Sequence, residues 1–127
     1  MMEQKQVLIV DDDTRNIFAL KAVLKSRAIS CITAGTGAEA LQLLSSEHKI
    51  GVVLIDIMMP DMDGYETISA LRAMPWNQRL PIVAVTAKAM IGDREKCLEA
   101  GADNYISKPI DVDELLAHLQ QYLSDEK

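Results

Sequence analysis

The chain reads as an α/β domain built on a parallel sheet, and three observations predict it. Val7-Leu8-Ile9-Val10, Val52-Val53-Leu54-Ile55 and Ile82-Val83-Ala84-Val85 are apolar runs without alternation, as expected of strands buried on both faces. Between them the apolar spacing changes to the 3.6-residue period of amphipathic helices. Each run also stops abruptly at a polar group: Asp11-Asp12-Asp13, Asp56 and Thr86. Five strands alternating with five helices imply right-handed crossovers, with helices on both faces of the sheet.

The first strand passes at Thr14 into a helix whose Ile17, Leu20, Val23 and Leu24 share one face. Ile29 to Ala34 is a shorter, more polar strand suited to a sheet edge. Gly35-Thr36-Gly37 then turns into a helix carrying Ala40, Leu41 and Leu44. The Gly51–Asp56 strand follows, and Met58, Met59, Pro60 and Asp61-Met62-Asp63-Gly64 form a turn-rich stretch behind it. A helix is expected from about Asp63 to Met74, ended by Pro75. Pro81 stands at the first position of the fourth strand, where proline is tolerated. Asp93 is placed to cap the next helix and Gly101 to close it. Asn104-Tyr105-Ile106-Ser107 makes a short last strand before Lys108-Pro109. Asp111 with Glu114 resembles a capping box for a helix striped by Val112, Leu115, Leu116, Leu119 and Leu123.

With 127 residues, 49% of them apolar and 25% charged, the chain suits a single soluble domain spanning 1–127. A net charge of −6 argues against direct nucleic-acid binding, which needs a basic patch. No apolar run approaches the ~20 residues of a membrane span. Met1 to Gln6 is polar, without a signal-peptide core. A cytoplasmic location without membrane contact is the expectation. Cys31 and Cys97 form no CxxC pair and read as two buried free thiols. His48 and His118 lie in no motif and read as surface or partly buried helix residues. Trp76 either reports on a neighbouring site or covers one end of the sheet.

Ligands of open parallel sheets sit beyond the carboxyl ends of the strands. That edge collects Asp11, Asp12, Asp56, Thr86 and Lys108. Carboxylates held close together repel, and a hard divalent cation such as Mg²⁺ (or Mn²⁺) with oxygen ligands relieves them. A lysine and a threonine hydroxyl add a point charge and a donor for phosphoryl oxygens. The set suits phosphoryl transfer onto a carboxylate. Each residue alone has a blander role: helix-dipole acids at 11–13, a turn former at 56, a strand-end cap at 86, surface charge at 108. Their shared edge is what favours the site.

The motifs Val7-Leu8-Ile9-Val10-Asp11-Asp12-Asp13, Asp56-Ile57-Met58-Met59-Pro60-Asp61-Met62-Asp63-Gly64, Val85-Thr86-Ala87-Lys88 and Ala100-Gly101-Ala102-Asp103-Asn104-Tyr105-Ile106-Ser107-Lys108-Pro109 resemble the receiver domain of two-component response regulators. The resemblance runs from Val7 to about Leu123. It implies a flavodoxin-like (βα)5 three-layer sandwich with strand order 2-1-3-4-5 and a cis Lys108-Pro109 bond. It implies that Asp56 accepts phosphate from a phosphohistidine. Asp12, Asp56 and the carbonyl of Met58 would bind Mg²⁺ directly, and Asp11 mainly through water. Thr86 and Tyr105 would be the switch pair, Tyr105 rotating from a solvent-facing position toward Thr86. The responding face, made by the fourth helix, last strand and last helix, would include Met90, Ile91 and Val112. Such a domain is a phosphoacceptor that catalyses its own phosphotransfer and slow dephosphorylation rather than an enzyme in the usual sense.

The wording at Met58-Met59, Thr86 to Met90 and Glu95-Lys96-Cys97-Leu98-Glu99-Ala100-Gly101 is most similar to receivers of hybrid sensor histidine kinases. The implied partner is a histidine kinase or histidine phosphotransfer domain. With no kinase core or DNA-binding output domain in the chain, both a stand-alone regulator and the receiver of a hybrid kinase remain open. Met58 cannot hydrogen-bond an attacking water with its side chain, and Lys88 could cover the phosphoryl group, so the aspartyl phosphate is expected to be long-lived.

Two rivals fit less of the chain. Gly35-x-Gly37-x-x-Ala40, with Asp56 about twenty residues on, is a dinucleotide-binding fingerprint, but it leaves Thr86, Lys108 and the first acids unused. Asp11-x-Asp13 followed by a threonine and a lysine resembles a haloacid-dehalogenase-type phosphohydrolase using Asp11 as nucleophile. Arg15 stands where that family has a threonine, and its late acidic pair is missing.

Overall fold

The computed structural model describes residues 5–45, 48–58, 64–86 and 92–123. Its elements are β1 (Gln6–Val10), α1 (Thr14–Ser26), β2 (Cys31–Ala34), α2 (Gly37–Leu43), β3 (Ile50–Asp56), α3 (Gly64–Arg72), a 3-10 turn (Pro75–Asn77), β4 (Ile82–Thr86), α4 (Asp93–Ala100), β5 (Asn104–Ser107) and α5 (Val112–Leu123). The strands form one parallel sheet in the order β2-β1-β3-β4-β5. This is the flavodoxin-like arrangement that the receiver resemblance implies, and Lys108-Pro109 is cis, as the resemblance also implies.

Alternation along the strands divides the core in two. Leu8, Val10, Val53, Ile55, Ile82 and Ala84 pack with Ala40 of α2, Ile68 and Leu71 of α3, and Cys97 of α4. Val7, Ile9, Val52, Leu54, Val83 and Ile106 pack with Leu20 and Leu24 of α1 and with Leu115, Leu116 and Leu119 of α5. The result is three layers. Every residue of β3 is buried, which is why its sequence shows no alternation.

The boundaries depart from the sequence reading where backbone groups find closer partners. β2 starts at Cys31 rather than Ile29, because the Ile29 N–H closes α1 on the Leu24 carbonyl (2.9 Å), with Ala28 at φ 60. α3 ends at Arg72, since Met74 precedes a proline and is extended (φ −80, ψ 124); a 3-10 turn follows. The predicted helix start at Asp63 lies outside the described residues. α4 begins at Asp93 itself, and its N-cap is Gly92 at φ 92, a conformation that glycine adopts without strain. Leu44 falls one residue past α2 yet is fully buried. Gly101 closes α4, and the Asp111 carboxylate accepts from the N–H groups of Asp113 (2.9 Å) and Glu114 (3.3 Å) at the start of α5.

His48 is not a helix residue. It lies before β3, where its Nδ1 accepts from the Ile50 N–H (3.2 Å), so Nε2 carries the proton toward Asn77 Oδ1 (3.0 Å). His118 is a half-buried residue of α5, as expected. Of the two free cysteines, Cys97 is buried but Cys31 is only half-buried. Among the described residues, no helix is long and apolar enough to cross a membrane.

Candidate functional site

The carboxyl ends of β1, β3, β4 and β5 lie side by side, and each delivers polar groups to one edge. Asp56 is the last residue of β3, in register with Val85 of β4, and is only 5% exposed. Its Oδ1 accepts from the Met58 N–H (3.0 Å) and its Oδ2 lies 3.3 Å from the Lys108 ammonium. Gly64 keeps this turn tight. Its N–H donates to the Ile57 carbonyl (2.9 Å), and a Cβ there would lie 2.6 Å from Ile57 Cα and 2.9 Å from the Asp56 carbonyl oxygen. No residue with a side chain fits so close to the backbone at the end of β3.

The triple acid after β1 divides its work. Asp13 caps α1, its Oδ1 accepting from the Arg15 N–H (2.9 Å), a bond that holds its carboxyl below the usual carboxylate range. Asp11 and Asp12 go to the site. One oxygen from each of Asp11, Asp12 and Asp56 lies within 4.8 Å of the others. Asp12 is exposed and Asp11 buried. Asp11 accepts from the Asp13 N–H (2.9 Å) and from Asn16 Nδ2 (3.4 Å).

Burial pushes the Asp11 carboxyl above its ordinary value of 3.8, and the Asp56 charge adds to the rise. The Asp13 N–H bond, the Lys108 charge and Asn16 work against it. Three carboxylates against one ammonium leave a local excess of negative charge. An all-oxygen donor set of that sign fits a hard divalent cation.

Thr86 ends β4, buried, in register with Ser107 of β5. Tyr105 pairs with Ala84, so Tyr105 and Thr86 share a sheet face and lie diagonally across the two strands. Tyr105 is half-buried against the α2–α4 side of the core rather than turned fully to solvent. Lys108 is fixed by its own N–H, which donates to the Thr86 carbonyl (2.7 Å). Met58 is 68% exposed. Lys88, Met90 and Ile91 lie outside the described residues.

Two supports escaped the sequence reading. Asn16, in the first turn of α1, reaches back to Asp11; a short polar residue on a helix otherwise turned to the core was the available signal. An apolar recess of about 250 Å³ borders Lys108, formed by Ala19, Leu20 and Val23 of α1 with Pro109, Ile110 and Val112. Trp76 is unrelated to the site. Its Nε1 donates to the Leu44 carbonyl (2.8 Å), at the amino edge of the sheet. The dinucleotide fingerprint is spent on its own helix. Thr36 Oγ1 accepts from the Glu39 N–H (3.0 Å) and Glu39 Oε1 from the Gly35 N–H (2.8 Å).

Comparison with known proteins agrees with this architecture. The family model described as the response regulator receiver domain matches residues 7–120. The sensor histidine kinase RcsC of Escherichia coli K12 is 38% identical over 94% of this chain, and the transcriptional regulatory protein KdpE of Mycobacterium tuberculosis CDC 1551 is 39% identical over 90%. The chain spans only 12% and 49% of those two proteins, but 98% of the polar-differentiation response regulator DivK of Brucella anthropi, at 35% identity over 95% of this chain.

Among solved structures, a putative response regulator from Chloroflexus aurantiacus superposes with a TM-score of 0.89 at 31% identity, covering 97% of this chain and 100% of its own. The receiver domain of sensor histidine kinase PA1611 from Pseudomonas aeruginosa PAO1 has a magnesium ion coordinated in its active-site cleft. It superposes at 0.87 with 32% identity, over 97% of this chain and 100% of its own. By a family match over nearly the whole chain, and by full-length likeness in sequence and fold, this chain belongs to the receiver domains of two-component response regulators.

Proposed function

We propose that Asp56 accepts a phosphoryl group from a phosphohistidine, and that the rest of the edge makes this transfer and its readout possible. The observation that carries the reading is the buried Asp56 carboxylate, 3.3 Å from the Lys108 ammonium and grouped with Asp11 and Asp12 within 4.8 Å. A carboxylate oxygen of Asp56 attacks phosphorus, the P–N bond to the donor imidazole breaks, and that nitrogen leaves with the electron pair. Lys108 offsets charge on the transferring oxygens, and Thr86 donates its hydroxyl to the product.

Asp12, Asp56 and the Met58 carbonyl would hold Mg²⁺ (or Mn²⁺) directly, with Asp11 acting mainly through water. The bound ion would neutralise the crowded carboxylates and the phosphoryl oxygens. The charge excess around Asp11 and the magnesium in the PA1611 receiver support this assignment. As Thr86 and Lys108 are drawn to the phosphoryl group, space opens for Tyr105, and the change reaches the α4–β5–α5 face, Val112 included. The partner is a histidine kinase or histidine phosphotransfer domain, as the likeness to RcsC suggests. The apolar recess beside Lys108 suits its docking.

Profiling phosphotransfer from a panel of phosphohistidine donors, with Asp56→Asn as control, tests the reading. Uptake is expected from at least one donor, with the label on the peptide carrying Asp56, and none into Asp56→Asn. Label on Asp11, the nucleophile of the haloacid-dehalogenase alternative, would overturn it.

A further inference from the structure

α1 presents two flanks. Leu20 and Leu24 face the sheet, while Phe18, Lys21, Ala22 and Lys25, spaced three and four residues apart, line a second stripe. Between that stripe and Ile29, Ser30 and Cys31 at the start of β2 lies a groove of about 520 Å³. β2 is an edge strand, so among the described residues no further strand covers this side. The volume falls in the range of about 300–1,000 Å³ typical of small-molecule sites. Phe18, the sole phenylalanine of the chain, is 76% exposed here.

The walls are a phenyl ring, the apolar side chains of Ala22 and Ile29, the Ser30 hydroxyl, a thiol and the aliphatic stems of two lysines. The two ammonium groups are the only charges among the lining residues, in a chain of net charge −6. Local charge is therefore opposite to that of the molecule. Lys21 bears on the groove floor: burial pushes the Cys31 thiol up, and the Lys21 charge works against that rise.

The geometry points to a binding site for an amphipathic organic anion, an apolar body along Phe18, Ala22 and Ile29 with a carboxylate or sulfonate head at Lys21 and Lys25. A purely apolar ligand would leave both ammonium groups without a counter-charge. A bare inorganic anion would gain little from two exposed lysines in high dielectric and would leave the phenyl ring in water. The groove lies on the flank of α1 away from the recess beside Lys108, so the proposal does not depend on the phosphoacceptor reading.

The test titrates the full chain with 8-anilinonaphthalene-1-sulfonate and, in parallel, with its uncharged counterpart N-phenyl-1-naphthylamine. Saturable one-to-one binding of the sulfonate is expected, weakened about tenfold or more by K21E/K25E, with the neutral compound weaker by a similar factor. Phe18→Ala should weaken both. Bound sulfonate should also slow maleimide alkylation of Cys31, read by peptide mass spectrometry, with buried Cys97 as internal reference. All four lining positions on α1 are exposed, so these variants leave the core intact; K21Q/K25Q repeats the test by the same criteria if charge reversal disturbs folding. Equal affinity in the lysine variants, equal affinity for the neutral compound, or an unchanged Cys31 rate would each overturn the proposal.

Discussion

Asp11 shows what the site costs the fold. Its carboxyl is raised by burial first and by the Asp56 charge second. Below the ordinary value of 3.8 both folded and unfolded chains hold this proton. As pH rises from there to the raised folded value, the unfolded chain releases it first, so stability falls across that window and stays lower above it. Asp11→Asn should therefore raise the melting temperature of the metal-free protein at pH 7 by a few degrees, and the gain should vanish below about pH 4. Thermal melts in chelator at the two pH values check this. A loss at pH 7 would mean that the bonds from the Asp13 N–H and Asn16 outweigh the burial. Met58 makes a kinetic counterpart. Its exposed thioether is only a weak acceptor and cannot orient an attacking water as an amide can, so Met58→Asn should speed decay of the proposed aspartyl phosphate several-fold. Phosphate release after donor removal measures it, and equal rates in the two proteins would remove the explanation.

The elements were largely legible because three strands are buried on both faces and declare themselves as unbroken apolar runs. What periodicity could not show is how element ends are tied together at long range. Arg72, a plain basic residue at the end of α3, donates to the carbonyls of Gly101, Asn77, Gln78 and Leu80 and to the Asp103 carboxylate, which in turn accepts from the Ile82 N–H. One guanidinium thus joins α3, the 3-10 turn, the start of β4 and the α4–β5 turn. No local pattern marks such a clasp, since its partners lie 5 to 31 residues away. The sequence marks Gly64 only as part of a turn-rich stretch, whereas its closeness to Ile57 and the Asp56 carbonyl gives the stronger reason for a glycine there. Arg72→Ala should cost about 2–3 kcal/mol, leaving half-buried acceptors unpaired. Arg72→Lys should recover less than half, because an ammonium lacks the planar fork. Urea midpoints of the three proteins decide it, and full recovery by lysine would reduce the clasp to simple charge.

At the scale of the molecule, the parallel sheet brings residues 11, 12, 56, 86 and 108 to one edge, and the negative charge gathered there should couple the site to global stability. The strand order came only with the family resemblance; hydropathy alone says that strands are buried, not which are neighbours. The acids and Thr86 were legible for a related reason, standing where apolar runs stop, whereas Lys108 follows the short polar strand Asn104–Ser107 and shows only as the end of that strand. The groove on α1 was not, because Phe18 and its lysines look like the solvent side of any amphipathic helix. A divalent cation that binds the folded edge and not the open chain must stabilise the fold by mass action, by about 2.7 kcal/mol at a concentration 100 times its Kd, on the order of 10 °C for a domain of this size. Thermal melts against MgCl₂ should therefore show a saturable rise, strongly reduced in Asp12→Asn and in Asp56→Asn. NaCl at matched ionic strength separates the site from the molecule's net charge of −6, since screening a diffuse charge excess needs no particular carboxylate. An equal rise with NaCl, or an undiminished rise in both variants, would mean that the three carboxylates meet at this edge without forming a cation site.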